Sequence, residues 1–144
     1  MPKSDKEIKE TYTDAELKRL LKKPDLKKCT FTEYRIWVLE NYFLATGNRI
    51  STALNLKIKD IDFVSGVITL RKTKNRHQQI IPLSHTLADI LTEYLVYREG
   101  NEEDYVFCND FGEHGARRTY QQAVYRYNIK RNVNKTSCHL FRHT

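Results

Sequence analysis

The chain predicts an α+β fold, a mostly helical domain with a small three-stranded antiparallel sheet inserted after three helices. Three observations predict it. Two Thr-x-x-Glu capping boxes, Thr13 to Glu16 and Thr30 to Glu33, open segments whose apolar residues recur at helical spacing. The period then changes: Val67 to Arg71 and Gln79 to Leu83 are β-rich runs on either side of a polar stretch. Beyond Ser84 the helical spacing returns.

Each element has its own signals. Met1 to Tyr12 alternates Lys and Glu without an apolar period and reads as a flexible leader, so the domain itself spans 13–144. The first helix carries Leu17, Leu20 and Leu21 and stops before Pro24. The second is long, with Tyr34, Trp37, Val38, Tyr42 and Ala45 on its inner face and Gly47 as a C-cap. Asn48 is placed to cap a short third helix whose apolar set is Ile50, Ala53, Leu54 and Leu56. Gly66 turns the chain into a β-hairpin. Ser84 caps a helix bearing Leu87, Ile90, Leu91, Tyr94 and Leu95, with Gly100 past its end. Tyr105 to Cys108 reads as a short strand, closed by a turn at Asn109 to Gly112. A basic helix runs from about Ala116 to Arg131, with Tyr120, Val124 and either Tyr125 or Tyr127 facing inward. A last helix begins near Cys138.

Composition excludes several classes. With 144 residues, 40% hydrophobic and 30% charged, the chain is one globular domain. No apolar run approaches the ~20 residues of a membrane helix. Three scattered cysteines, Cys29, Cys108 and Cys138, argue against a disulfide scaffold and for a reducing cytoplasm. The net charge of +7 is unevenly placed. Residues 1–113 hold 18 basic and 18 acidic groups, whereas 114–144 hold seven basic groups and no acid. A one-signed segment attracts polyanions, though a solvated basic face has the same composition.

Chemistry concentrates in three places. Arg49 follows a glycine break at the start of a helix. Lys72, Lys74 and Arg76 lie at the hairpin tip. His139 and Arg142 stand at i and i+3, one face of a helix. Two arginines, a lysine and a histidine without paired carboxylates suit an anionic phosphate, which paired guanidiniums clamp bidentately. Arg117 and Arg118, at a helix start, add candidate phosphate contacts. A zinc reading uses His139, His143, Cys138 and Cys108, but no Cys-x₂-Cys pair accompanies them. No metal or other cofactor is expected.

Arg49 and Arg142 are 93 positions apart, and spacing cannot bring them together. A resemblance does. Ala45-Thr-Gly-x-Arg49, followed by Leu56 and Asp60-Ile61-Asp62, resembles the first arginine box of the tyrosine recombinase (phage integrase) family. Lys72-Thr73 before Ile81-Pro82-Leu83 is similar to its hairpin lysine, and His139-Leu-Phe-Arg-His-Thr144 to its H-x-L-R-H-T box. The resemblance runs in order from about Thr11 to Thr144. It implies a domain that acts on double-stranded DNA and rejoins strands through a 3′-phosphotyrosyl link, without metal. Arg49 and Arg142 would hold the scissile phosphate. Lys72, with Lys74 as the alternative, would protonate the departing 5′ oxygen, and His139 would assist by hydrogen bonding or proton transfer.

Two departures qualify the resemblance. Thr52 stands where many members have a glutamate that supports the first arginine. The family's nucleophile lies a few dozen residues beyond the second arginine, and none of the nine tyrosines here occupies that place. The expectation is a catalytic domain truncated before its nucleophile, which binds DNA without cutting it. Self-association on DNA is expected of the full-length protein. The alternative is a non-catalytic basic DNA-binding module.

Overall fold

The computed structural model describes residues 11–71 and 78–134. Its elements are α1 (Asp14–Leu21), α2 (Phe31–Thr46), α3 (Ile50–Leu54), a 3₁₀ turn (Ile58–Asp60), β1 (Ile61–Asp62), β2 (Val67–Leu70), β3 (Gln79–Pro82), α4 (His85–Arg98) and α5 (Arg117–Lys130). Three helices precede a three-stranded antiparallel sheet in the order β1-β2-β3, as expected.

The third strand is not Tyr105 to Cys108. It is β1, which pairs Ile61 with Ile68 and Asp62 with Val67. Two residues are too few to show a period, so the sequence carries no strand signal there. The buried segment Tyr105 to Cys108 makes isolated bridges instead, Lys57 with Tyr105 and Cys108 with His114. Its bridge partner Lys57 is followed at once by the 3₁₀ turn Ile58–Asp60, so the pairing stops at a single bridge.

Helix α2 is the axis of the core and touches α1, α3, α4 and α5. Tyr34, Trp37, Val38 and Tyr42 are buried as expected, but so are Ile36, Leu39 and Phe43. A helix that is apolar all round is wrapped by its neighbours rather than laid on them. Ala45, assigned to the inner face, is exposed because the last turn of α2 leaves the core. The first capping box forms in full: Glu16 N donates to Thr13 Oγ1 (3.1 Å) and Thr13 N to Glu16 Oε1 (2.8 Å). The second forms by half. Glu33 N donates to Thr30 Oγ1 (3.1 Å), but the Glu33 carboxylate accepts from Arg131 (2.6 Å) and Lys130 (3.4 Å). Partial burial alone would raise Glu33, and the two cations overcome it and hold its carboxyl below the usual range.

The short helix α1 is tied down through its last carbonyls, which no helical partner can satisfy. Trp37 Nε1 donates to Leu21 O (2.9 Å) and the Tyr127 hydroxyl to Leu20 O (3.0 Å). Tyr127 is thus the inward tyrosine of α5, while Tyr125 is 53% exposed. Tyr12, which the sequence places in the leader, is buried, and Asn128 Nδ2 donates to its hydroxyl (3.2 Å).

One residue breaks the pattern of the core. Glu40 on α2 is fully buried, and neither carboxyl oxygen has a hydrogen-bond partner among the described residues. Burial pushes its carboxyl well above the usual carboxylate range, opposed only by the Arg131 guanidinium.

Candidate functional site

Arg49 is the one member of the expected catalytic set among the described residues. Gly47, in the left-handed region at φ 70°, ends α2 and donates to Phe43 O (2.8 Å). The turn that follows is locked by side chains. Thr46 Oγ1 donates to Tyr42 O (2.7 Å), Asn48 N donates to Thr46 Oγ1 (3.2 Å), and the Tyr42 hydroxyl donates to Asn48 Oδ1 (2.7 Å). Asn48 is therefore not the cap of α3. Its side chain is engaged behind it, and the N-cap position falls to Arg49, extended at φ −77° and ψ 158°.

Arginine is a poor choice for an N-cap, because it offers no acceptor to the first amides of the helix. Arg49 makes no side-chain cap, is exposed, and among the described residues has no ion pair or side-chain hydrogen bond. Its backbone is firm nonetheless: Arg49 O accepts from Ala53 N (3.1 Å), and Ile50 beside it is buried. A firm backbone thus presents to solvent a guanidinium without an ion pair among the described residues, where local stability would favour Ser or Asp.

Asp60 is buried and pairs with Arg71: Arg71 Nη2 donates to Asp60 Oδ2 (3.1 Å), and Nε lies 3.0 Å from Oδ1. Asp60 Oδ2 also accepts from Lys57 N (2.9 Å). This clamp ties the end of β2 to the 3₁₀ turn at the residue before Lys72. Lys72, Lys74, Arg76, His139 and Arg142 themselves lie outside the described residues. Sequence reading missed the clamp because Asp60 and Arg71 are 11 positions apart and become neighbours only when β1 pairs with β2. Asp60→Ala is expected to destabilise the fold by about 1–3 kcal/mol, since it strips a half-buried guanidinium of its partner. Urea denaturation checks this, and an unchanged midpoint would remove the clamp from the account.

Arg117 and Arg118 open α5, which packs on α3. Both are exposed, and neither has an ion pair among the described residues. Ala116 at the N-cap supplies no side-chain acceptor, so the positive end of the helix is left open beside them. The basic segment is less free than its composition suggests. Arg131 lies 3.6 Å over the Tyr127 ring and pairs with Glu33, and Lys130 shares that carboxylate. On α5, Arg117, Arg118 and Arg126 remain.

All nine tyrosines fall within the described residues. Six are buried: Tyr12, Tyr34, Tyr42, Tyr94, Tyr120 and Tyr127. The hydroxyls of Tyr94 and Tyr120 donate to Val106 O (2.7 Å) and Cys108 O (2.6 Å), and that of Tyr34 to Glu93 (2.7 Å). Burial pushes the Tyr34, Tyr42, Tyr94, Tyr120 and Tyr127 phenols well above their ordinary range. These groups are core packing, as the sequence reading held for Tyr120, and none of them suits nucleophilic attack.

The comparisons follow this geometry. XerA recombinase has the same fold, with a TM-score of 0.74 at 24% identity over 99% of this chain and 50% of that one. XerH recombinase bound to its difH substrate gives a TM-score of 0.73 at 25% identity, covering 93% of this chain and 40% of that one. In sequence, the tyrosine recombinase XerD of Staphylococcus epidermidis is 27% identical over 149 residues, covering 99% of this chain and 50% of the relative. A probable integrase/recombinase of Methanocaldococcus jannaschii is 31% identical over 101 residues, or 69% of this chain and 30% of the relative. The chain thus spans about half the length of the XerD relatives it matches. The family model described as the phage integrase family matches residues 10–144, from before α1 through the His139 to Thr144 box, and the chain belongs to the phage integrase family.

Proposed function

We propose that these residues form the phosphate-binding part of a site-specific DNA recombinase. Such an enzyme cleaves and rejoins DNA strands through a 3′-phosphotyrosyl link. The observation that carries this reading is the exposed Arg49, without an ion pair among the described residues, on a firm helix start within a family match that extends through Arg142. Arg49 and Arg142 hold the scissile phosphate and stabilise the charge that builds on it. Lys72, or Lys74 in its place, gives a proton to the leaving 5′ oxygen, and His139 assists proton transfer. Arg117, Arg118, Lys74 and Arg76 contact flanking phosphates. XerH, solved on its difH substrate, supports duplex DNA as the partner. Self-association on DNA in the full-length protein and action in the cytoplasm belong to the same reading, as does the domain 13–144 behind the leader 1–12, whose last residue, Tyr12, packs into the core. Among the described residues no helix is long and apolar enough to cross a membrane.

In this reading these 144 residues alone bind rather than cut, because none of their nine tyrosines occupies the place of the family's nucleophile and six of them are committed to the core. Two measurements test the proposal. Affinity for duplex DNA should fall steeply with salt, with a log–log slope near −0.9 per phosphate contact. On a nicked suicide substrate, the product of the whole gene should form a covalent adduct without added metal, and the 144-residue chain none. A salt-independent titration, or an adduct that requires Mg²⁺, would reject it.

A further inference from the structure

A cavity of about 360 Å³ lies between the first turns of α5, the α2 segment around Arg35, and the turn at Asn109 to Phe111. Its floor holds Arg35, which is only 7% exposed. Aromatic rings flank the guanidinium, Phe31 at 5.6 Å and Tyr120 at 5.4 Å. A guanidinium taken this far out of water ordinarily ends on a well-placed carboxylate. Among the described residues Nε has no hydrogen-bond partner, and the one acid at hand, Asp110, is 3.7 Å from Nη2 with a side chain 84% exposed. The rings hold the fork in position.

The rim adds positive potential. Arg126 lines the same cavity, and α5 starts there behind the uncapped Ala116. Thr119, also lining it, stands in the first turn of a helix that holds four basic groups and no acid. Arg35 lies in the first half of α2, eleven residues or roughly 16 Å of helical rise before the helix ends at Thr46, and Arg49 stands on the turn beyond that end.

We propose that this cavity seats a second DNA backbone phosphate, held by Arg35 and Arg126 at the positive end of α5, away from the phosphate that Arg49 contacts. The inference rests on the DNA-binding reading above. Asp110 occupies a corner of the Arg35 fork until DNA arrives. Being exposed, it gives way without a desolvation cost.

The test is binding of a mixed-sequence DNA duplex to the 144-residue chain across a range of salt. Arg35→Gln should make the log–log slope shallower by about 0.9. Since Arg35 is buried and its loss could unfold the chain, two surface variants carry the decision. Thr119→Glu places a carboxylate in the cavity. It should weaken binding roughly tenfold, while the melting temperature holds or rises because an acid in the first turn suits the helix dipole. Asp110→Asn frees the fork and should tighten binding severalfold. Parental affinity and slope in both surface variants overturn the second seat and leave the proposed function intact. Absence of salt-dependent binding by the parent chain overturns both. Loss of self-association by Thr119→Glu with DNA binding unchanged assigns the cavity to a second copy of the chain and overturns this proposal.

Discussion

Arg49→Ser is expected to lower strand cleavage by roughly 10²–10³-fold in a chain that carries the nucleophile, the typical cost of losing one preorganised donor to a developing oxyanion. In the 144-residue chain the same change should make the salt dependence of DNA binding shallower by about 0.9. Stability should move the other way. Serine at the N-cap of α3 offers an acceptor to the first amides, worth roughly 0.5–1 kcal/mol, and Arg49 has no ion pair among the described residues to lose. Arg49→Lys separates charge from shape: it keeps the positive charge but not the planar fork, so it should retain the salt slope and lose most of the cleavage. The measurements are single-turnover cleavage on a suicide substrate, a salt titration and a thermal melt. A melt that falls in Arg49→Ser with cleavage intact would make the residue structural.

Glu40→Leu should stabilise the protein at neutral pH by roughly 1–3 kcal/mol, the scale for burying a polar group without a partner. The sign follows from linkage. Burial raises the Glu40 carboxyl well above its unfolded value of 4.5, so the folded chain holds a proton that the unfolded chain releases. The folded state is therefore favoured by this group below 4.5 and loses that support as pH rises from there toward the raised value. The gain from Glu40→Leu should be largest at neutral pH and shrink in acid. Arg131, which faces Glu40, keeps its pairing with Glu33, and Tyr127 keeps its bond to Leu20 O. Urea denaturation at neutral pH and below 4.5 checks both limbs. A variant less stable than the parent at neutral pH would mean that Glu40 has a partner and a role.

Much of the architecture was legible because its signals are local. A threonine three residues before a glutamate can close only on its own helix start, and the first box does so at Thr13. The β-rich runs Val67 to Leu70 and Gln79 to Pro82, on either side of a polar stretch, pair with each other as the antiparallel strands of a hairpin. Where a local signal met a distant competitor, tertiary contact decided. Glu33 leaves its capping box for Arg131, 98 residues away, because a cation stacked on Tyr127 offers more than a backbone amide. Asn48 leaves the N-cap of α3 for the Tyr42 hydroxyl.

By itself the sequence determined the fold class, the order of the elements, the basic character of α5 and the motifs that place the chain in its family. All of these are carried by residue type and short spacing. Only the tertiary structure decided which charges are free. Arg49 stands exposed without an ion pair among the described residues, Arg131 is neutralised, Arg35 is buried between two rings, and six phenols are locked in the core. The physical reason is that a charge is neutralised by whatever lies within a few ångströms, and folding, not sequence order, sets those neighbours.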